Sequence, residues 1–294
     1  MRKVITLFFF AFLLSGAVEK PEGYRIEVTK GKGLYEGEVR FVSPDGRVVK
    51  VLEWEEHRTE KEGDVWHTHG RCIADVHEGK GLVLDRLFSI RVHYPPGVER
   101  DMPEEGERWD YSLVLYRADG REVWRKSFRV YPGDDLLTTY YWRVGFSSDG
   151  NVFFVYYRDS AGVCNIEVYD TLGRMVSRGS YVHDLSGIEI SSDGKIVGAE
   201  TLKKIGDRYY RHLFFVDVET GRTKLVKAEG EINGKRWTGY FILSSTPKPP
   251  PSGKIRIGVD PHLPIPGGGV KTKDVSFDEL PSDLSVLFKE GGEK

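Results

Sequence analysis

At 294 residues the chain is long enough for one large all-β domain or two small ones. Its 43 lysines and arginines are matched by 45 aspartates and glutamates, a net charge of −2, which leaves no strongly basic face for nucleic acid. Glutamine is absent and asparagine occurs only as Asn151, Asn165 and Asn233, while 30% of residues are charged; loss of labile amides with gain of charge points to a heat-adapted source.

Arg2 and Lys3 precede "VITLFFFAFLL", an unbroken apolar run from Val4 to Leu14, and the small residues Ser15 and Ala17 follow. This is the layout of a cleaved export signal, residues 1–17, with the mature chain starting at Val18. The run is shorter than the about 20 residues that span a bilayer. Ala17 stands where a lipoprotein would carry its lipidated cysteine. The expectation is an exported chain (periplasmic, extracellular or at the cell surface) with no membrane anchor once the signal is removed.

From Val18 onward the pattern is that of strands. "YRIEV" (24–28), "SLVLYR" (112–117), "NVFFVYY" (151–157), "NIEVYD" (165–170) and "HLFFVDV" (212–218) are rich in β-branched and aromatic residues, with Gly, Asp and Ser between them. Residues 54–110 read as an irregular, charged insertion, with "WEEHRTEKEGD" and "PPGVERDMPEEGERWD" flanking "VWHTHGRCIADVHEGKGLVL". The phrase "SSDG" occurs at 147–150 and again at 191–194. Each copy opens a tight Asp-Gly turn, followed by a strand, a polar loop, a strand, a second turn containing Gly173 or Gly221, and a last strand. Earlier copies of the second turn lie at Gly120 and, more faintly, Gly46. A recurring unit of this size with four short strands matches a propeller blade. After residue 245 the chain is rich in Pro and Gly, with "GKIRIGV" as one last strand. Ser276 and Glu279 stand at capping-box spacing before a short terminal turn or helix that ends near Gly291.

The stretch "VGFSSDGNVFFVYY…NIEVYDTLGRMV" resembles the blades of TolB-like and other WD40-like bacterial β-propellers. The resemblance covers about 110–228 and implies a fold, since propellers host many unrelated functions. The expected architecture is an all-β, propeller-like array over 18–245, open to being incomplete, with four to six blades of which three are legible. The orphan strand "YRIEV" is expected to complete the last blade.

Chemistry is sparsely marked. His67 and His69 lie at i, i+2, so a strand points both imidazoles to one face, with Cys72 and His77 further along; imidazole and thiolate suit zinc or copper. The same histidines equally read as exposed residues at a loop edge. Cys72 and Cys164 are the only cysteines. In an oxidising compartment they can form a disulfide stabilising by roughly 4–5 kcal/mol in the chain-entropy model, although "AGVCNIEVY" also suits a buried free thiol. "GFSSDG" fails the Gly-x-Ser-x-Gly elbow by one residue, and "IPGGGVK" lacks the ending of a phosphate loop. The aromatic cluster Tyr140, Tyr141 and Trp142 suits packing between sheets or the floor of a ligand site. The reading is a non-catalytic binding or scaffolding protein without a cofactor, whose ligand is a protein or a small molecule. The alternatives are a metal-dependent enzyme or metal-binding protein using the His67/His69 region, and a structural component of the cell surface.

Overall fold

A computed structural model describes residues 19–30, 37–53, 55–63, 65–93, 108–130, 142–159, 161–232, 235–244, 248–259 and 272–288. The export signal, Tyr140, Tyr141 and "IPGGG" lie outside these residues. The described chain forms five antiparallel sheets taken in sequence order. The first contains β1 (Arg25–Lys30), β2 (Gly37–Val42) and β3 (Val48–Glu53); the second, β4 (Glu55–Glu62), β5 (Val65–His77), β6 (Leu82–His93), β7 (Arg108–Arg117) and β8 (Glu122–Val130). The third holds β9 (Trp142–Phe146), β10 (Val152–Arg158), β11 (Cys164–Asp170) and β12 (Met175–Tyr181). The fourth is β13 (Leu185–Ile190), β14 (Ile196–Ile205), β15 (Arg208–Asp217) and β16 (Thr223–Lys227); the fifth is β17 (Glu229–Ile232), β18 (Lys235–Ile242), β19 (Lys254–Val259) and β20 (Thr272–Ser276). A single turn of helix, α1 (Ser285–Phe288), follows.

Sheets with neighbours on both sides need apolar residues on both faces, and that is what "VFFVYY" supplies. Phe153, Val155 and Tyr157 of β10 join Leu82, Leu84, Leu113 and Leu115 of the second sheet. Phe154 and Tyr156, on the other face of the same strand, join Ile190, Val197, Phe214 and Val216 of the fourth. Two further cores join the first sheet to the second and the fourth to the fifth. Four cores thus link five sheets in series, and among the described residues none links the fifth back to the first.

The two end faces explain why the series stops. Arg25 pairs with Glu27 at 2.8 Å and Arg40 with Glu38 on the side of the first sheet opposite Ile26, Val39 and Phe41. On the fifth sheet, Arg256 makes a two-pronged contact with Asp274 at 2.8 and 2.9 Å, opposite Ile255 and Ile257. Charged pairs on an outer face let stacked repeats end without a further partner; on the first sheet they stand beside an exposed Val51, opposite Arg40 in the ladder.

The repeated turns are the seams between sheets. In each copy the serine hydroxyl donates to the aspartate, Ser147 to Asp149 at 2.6 Å and Ser191 to Asp193 at 2.7 Å, and the glycine is left-handed, with φ of 65° at Gly150 and 69° at Gly194. The Asp149 amide donates to the Ser192 carbonyl at 3.1 Å, and Asp193 accepts from Ser252 and Gly253 of the fifth sheet's turn at 2.6 and 2.8 Å. One turn therefore braces the next.

Three expectations are corrected. "YRIEV" does not complete the last sheet; as β1 it pairs with β2 in the first, from Arg25↔Val42 to Lys30↔Gly37. Residues 54–110 are not an irregular excursion, because their described part supplies β4, β5, β6 and the start of β7. The tail contributes β20 as well as β19. The Ser276–Glu279 box forms, the serine amide donating to the carboxylate at 2.7 Å, but it closes a turn ahead of α1 rather than capping it. That hydrogen bond, together with Lys254, pulls the Glu279 carboxyl down to about 2.

Candidate ligand-binding cleft

The structure separates the residues that sequence spacing grouped. His67 and His69 share one face of β5, paired with Arg91 and Ser89 of β6. Cys72 lies on the opposite face, and the register slips by one residue between Ile73 and Asp75, which turns His77 to the Cys72 side. The His77 ring is also fully used. Nε2–H donates to the Ser148 carbonyl at 2.9 Å and Nδ1 accepts from the Lys80 amide at 3.2 Å, a tautomer assigned from these partners. His77 is thus a brace under the first "SSDG" turn, where a Cβ on Gly150 would come within 2.7 Å of its ring. Among the described residues no group of three or more His, Cys, Asp or Glu side chains is arranged to hold a metal ion.

Of the two readings open for Cys72 and Cys164, a disulfide or free thiols, the structure has both as free thiols. Cys164 is fully buried in the core between the third and fourth sheets, with its sulfur 3.2 Å from the Tyr156 hydroxyl. Burial pushes the thiol up from its ordinary range, which leaves it unreactive. Ser147 is likewise no nucleophile, being buried with its hydroxyl given to Asp149.

A recess on the described surface lies at the far end of the same strands from the "SSDG" turns. It is a cleft of about 570 Å³ where the third sheet meets the fourth. Arg158 ends β10 on one side; Val182, His183 and Asp184 connect β12 to β13 across the floor; Glu200, Leu202, Tyr209 and Arg211 come from the β14–β15 hairpin on the other side. Two ion pairs fix the polar groups. Arg158 Nη1 is 3.4 Å from Asp184 Oδ1, and Arg211 Nη2 is 2.5 Å from Glu200 Oε1. The floor is held by the Thr201 hydroxyl, which donates to the Asp184 carbonyl at 2.7 Å, and by His183 standing edge-on to Tyr181 at 5.5 Å. Beside these charges stand exposed apolar side chains: Val182 at 68%, Leu202 at 57% and Tyr209 at 63%.

No residue of this cleft was singled out from the sequence, because its walls come from four separate strand ends. The local signal available was "TLKKIGDRYYRH", a hairpin whose apolar residues lack the burial that flanking strands give them.

No family model matches the chain, and no curated protein matches it by sequence. Among solved structures it is similar to the acylaminoacyl peptidase of Pyrococcus horikoshii, at 14% identity and a TM-score of 0.34. That match covers 67% of this chain and 31% of the peptidase, so the chain spans about a third of the peptidase's length. It is also similar to Hsv2 of Kluyvelomyces marxianus (9% identity, 87% of this chain and 83% of that one, TM-score 0.29) and to the WD40 domain of Toxoplasma gondii coronin (10% identity, 95% and 89%, TM-score 0.29). With TM-scores of 0.34 and 0.29 these likenesses assign neither a family nor an activity to this chain. From its own sheet order and cores, the described chain is an all-β, propeller-like array of five antiparallel sheets.

Proposed function

We propose that this propeller-like array is an exported binding protein whose ligand sits in the cleft between the third and fourth sheets. The observation that carries the reading is the composition of that cleft: two arginines, each already oriented by a carboxylate, beside three exposed apolar side chains. Its volume is in the range of small-molecule sites, which combine apolar walls with a few placed polar groups. The fitting ligand carries an anionic group next to an apolar one, as a short peptide with a free carboxylate does. Export is supported by the Arg2–Ala17 segment and is tested by the mass of the protein recovered after secretion, with an expected start at Val18.

The binding test is a thermal-shift screen of short carboxylate-bearing peptides against the mature chain and an Arg158→Ala/Arg211→Ala variant. The expected result is a rise in melting temperature with hydrophobic peptides that the variant loses. Equal shifts in both proteins, or none in either, would remove the cleft from the account.

A further inference from the structure

The β14–β15 hairpin is longer than the sheet that carries it. β14 and β15 pair with each other from Ile196↔Asp217 out to Ile205↔Arg208. On one flank β13 accompanies β14 only as far as Thr201, and on the other β16 accompanies β15 only from His212. Among the described strands, Leu202–Tyr210 therefore overhangs the sheet with no strand paired on either edge, while the Arg211 carbonyl still accepts from the Ala228 amide at 2.9 Å; the overhang is closed by the left-handed Gly206 at φ 61°.

Such an overhang in a purely solvated hairpin would be polar. Here Leu202 and Tyr209 lie on one face, and Ile205 lies on the other together with Tyr210, by the alternation of the ladder. Leu202, Ile205 and Tyr209 are 57%, 51% and 63% exposed. Interleaved with them are Lys203, Lys204, Arg208 and Arg211 against Asp207 as the lone acid. Arg211 is answered by Glu200, which leaves three cations facing one anion at the tip of a chain whose net charge is −2. The Lys204 ammonium stands 5.9 Å from the centre of the Tyr209 ring, with charge and aromatic surface side by side.

A protein partner docking against the sheet would call for apolar residues on one face. Apolar residues on both faces of a tip, mixed with cations, fit a medium that surrounds the tip and carries negative charge. We propose that the β14–β15 hairpin docks end-on into an anionic lipid surface. Leu202, Ile205 and Tyr209 enter the headgroup boundary, while Lys203, Lys204 and Arg208 meet the lipid phosphates. The docking goes beyond ligand binding in the cleft and does not require it.

The test uses the full mature chain, sedimented with vesicles of phosphatidylcholine alone or mixed with phosphatidylglycerol. The chain should partition onto the mixed vesicles and not onto the neutral ones, and added salt should weaken the binding. Lys203→Glu/Lys204→Glu should weaken it by about 25-fold or more, at roughly fivefold for each surface cation lost. Ile205→Ser, on the hairpin face away from the cleft, should weaken it as well. All these positions are solvent-facing or partly so, and unchanged circular dichroism and melting temperature show that each variant folds. Arg158→Ala should bind vesicles like the parent, so that loss of cleft binding and loss of lipid binding are told apart. No sedimentation with anionic vesicles at low salt would overturn the proposal. So would binding that both hairpin variants retain in full, which would place the lipid contact elsewhere.

Discussion

Gly173→Ala should destabilise the folded chain by about 3–4 kcal/mol, whereas Gly221→Ala, at the matching turn one sheet later, should cost about 1 kcal/mol. Both glycines are left-handed, with φ of 75° and 69°, so alanine meets the same backbone penalty at each. Their neighbours differ. A Cβ on Gly173 would lie 2.1 Å from Cδ1 and 2.2 Å from Cγ of Trp124, whose ring comes from the adjacent sheet. Trp124 has little room to retreat, being packed on Tyr169 and Phe153 at centroid distances of 4.9 and 5.5 Å. A Cβ on Gly221 would meet only the Ser177 hydroxyl, at 3.9 Å. Urea midpoints of the two variants check this, and equal losses would show that Trp124 does not cover the third sheet's turn.

The second large effect is expected at Glu167, a carboxylate 2% exposed between the second and third sheets. Lys126 of β8 donates to it at 2.8 Å across the seam, Tyr157 donates at 3.0 Å, and the Tyr169 hydroxyl donates as well. Burial alone would push the carboxyl up, but Lys126 and the two phenols outweigh it and hold it below the usual range. Burial, with Glu167 beside them, pushes both tyrosines up. Glu167→Ala leaves the Lys126 ammonium without a counter-charge, still holding the Tyr169 hydroxyl at 2.6 Å, and takes the acceptor from the Tyr157 and Tyr169 hydroxyls. The expected loss is about 3 kcal/mol, the low end for a broken buried pair because Lys126 keeps part of its surface in water. Adding Lys126→Met should recover part of that loss, since the charge left alone is then gone. The pH dependence follows from the depressed pKa. The stabilisation is complete above the unfolded carboxyl value of about 4.3 and is lost as pH falls through the folded value, so the gap between parent and variant should narrow in acid. A gap that stays constant with pH would assign the loss to packing.

What could be read from the sequence was whatever repeats locally. The Asp-Gly turns, the doubly apolar "VFFVYY" and the order of strands through the third and fourth sheets follow from residues within one turn of each other. Pairing across sheets is less legible. "YRIEV" has the composition of a strand, but nothing in those five residues says whether β2 or the last sheet receives it. The histidine grouping failed for a similar reason. Strict alternation over ten residues puts His67 and His77 on one face, and a single extra residue near Ala74 reverses the outcome. The cleft was invisible because Arg158, Asp184, Glu200 and Arg211 meet only after two sheets have packed. Even so, the overhanging hairpin left a trace in "LKKIGDRY", which mixes apolar and basic residues past the point where its neighbours end.

Among the described residues five sheets stand in an open series, with ion pairs on both end faces and the proposed binding cleft at a seam between them. Arginine-specific footprinting of the native protein tests it most directly. Arg25 and Arg40 on the outer face of the first sheet are about half exposed and should be modified readily under conditions where the protein stays folded. Protection of both arginines until the protein unfolds would mean that another sheet covers that face, and the open series would be wrong.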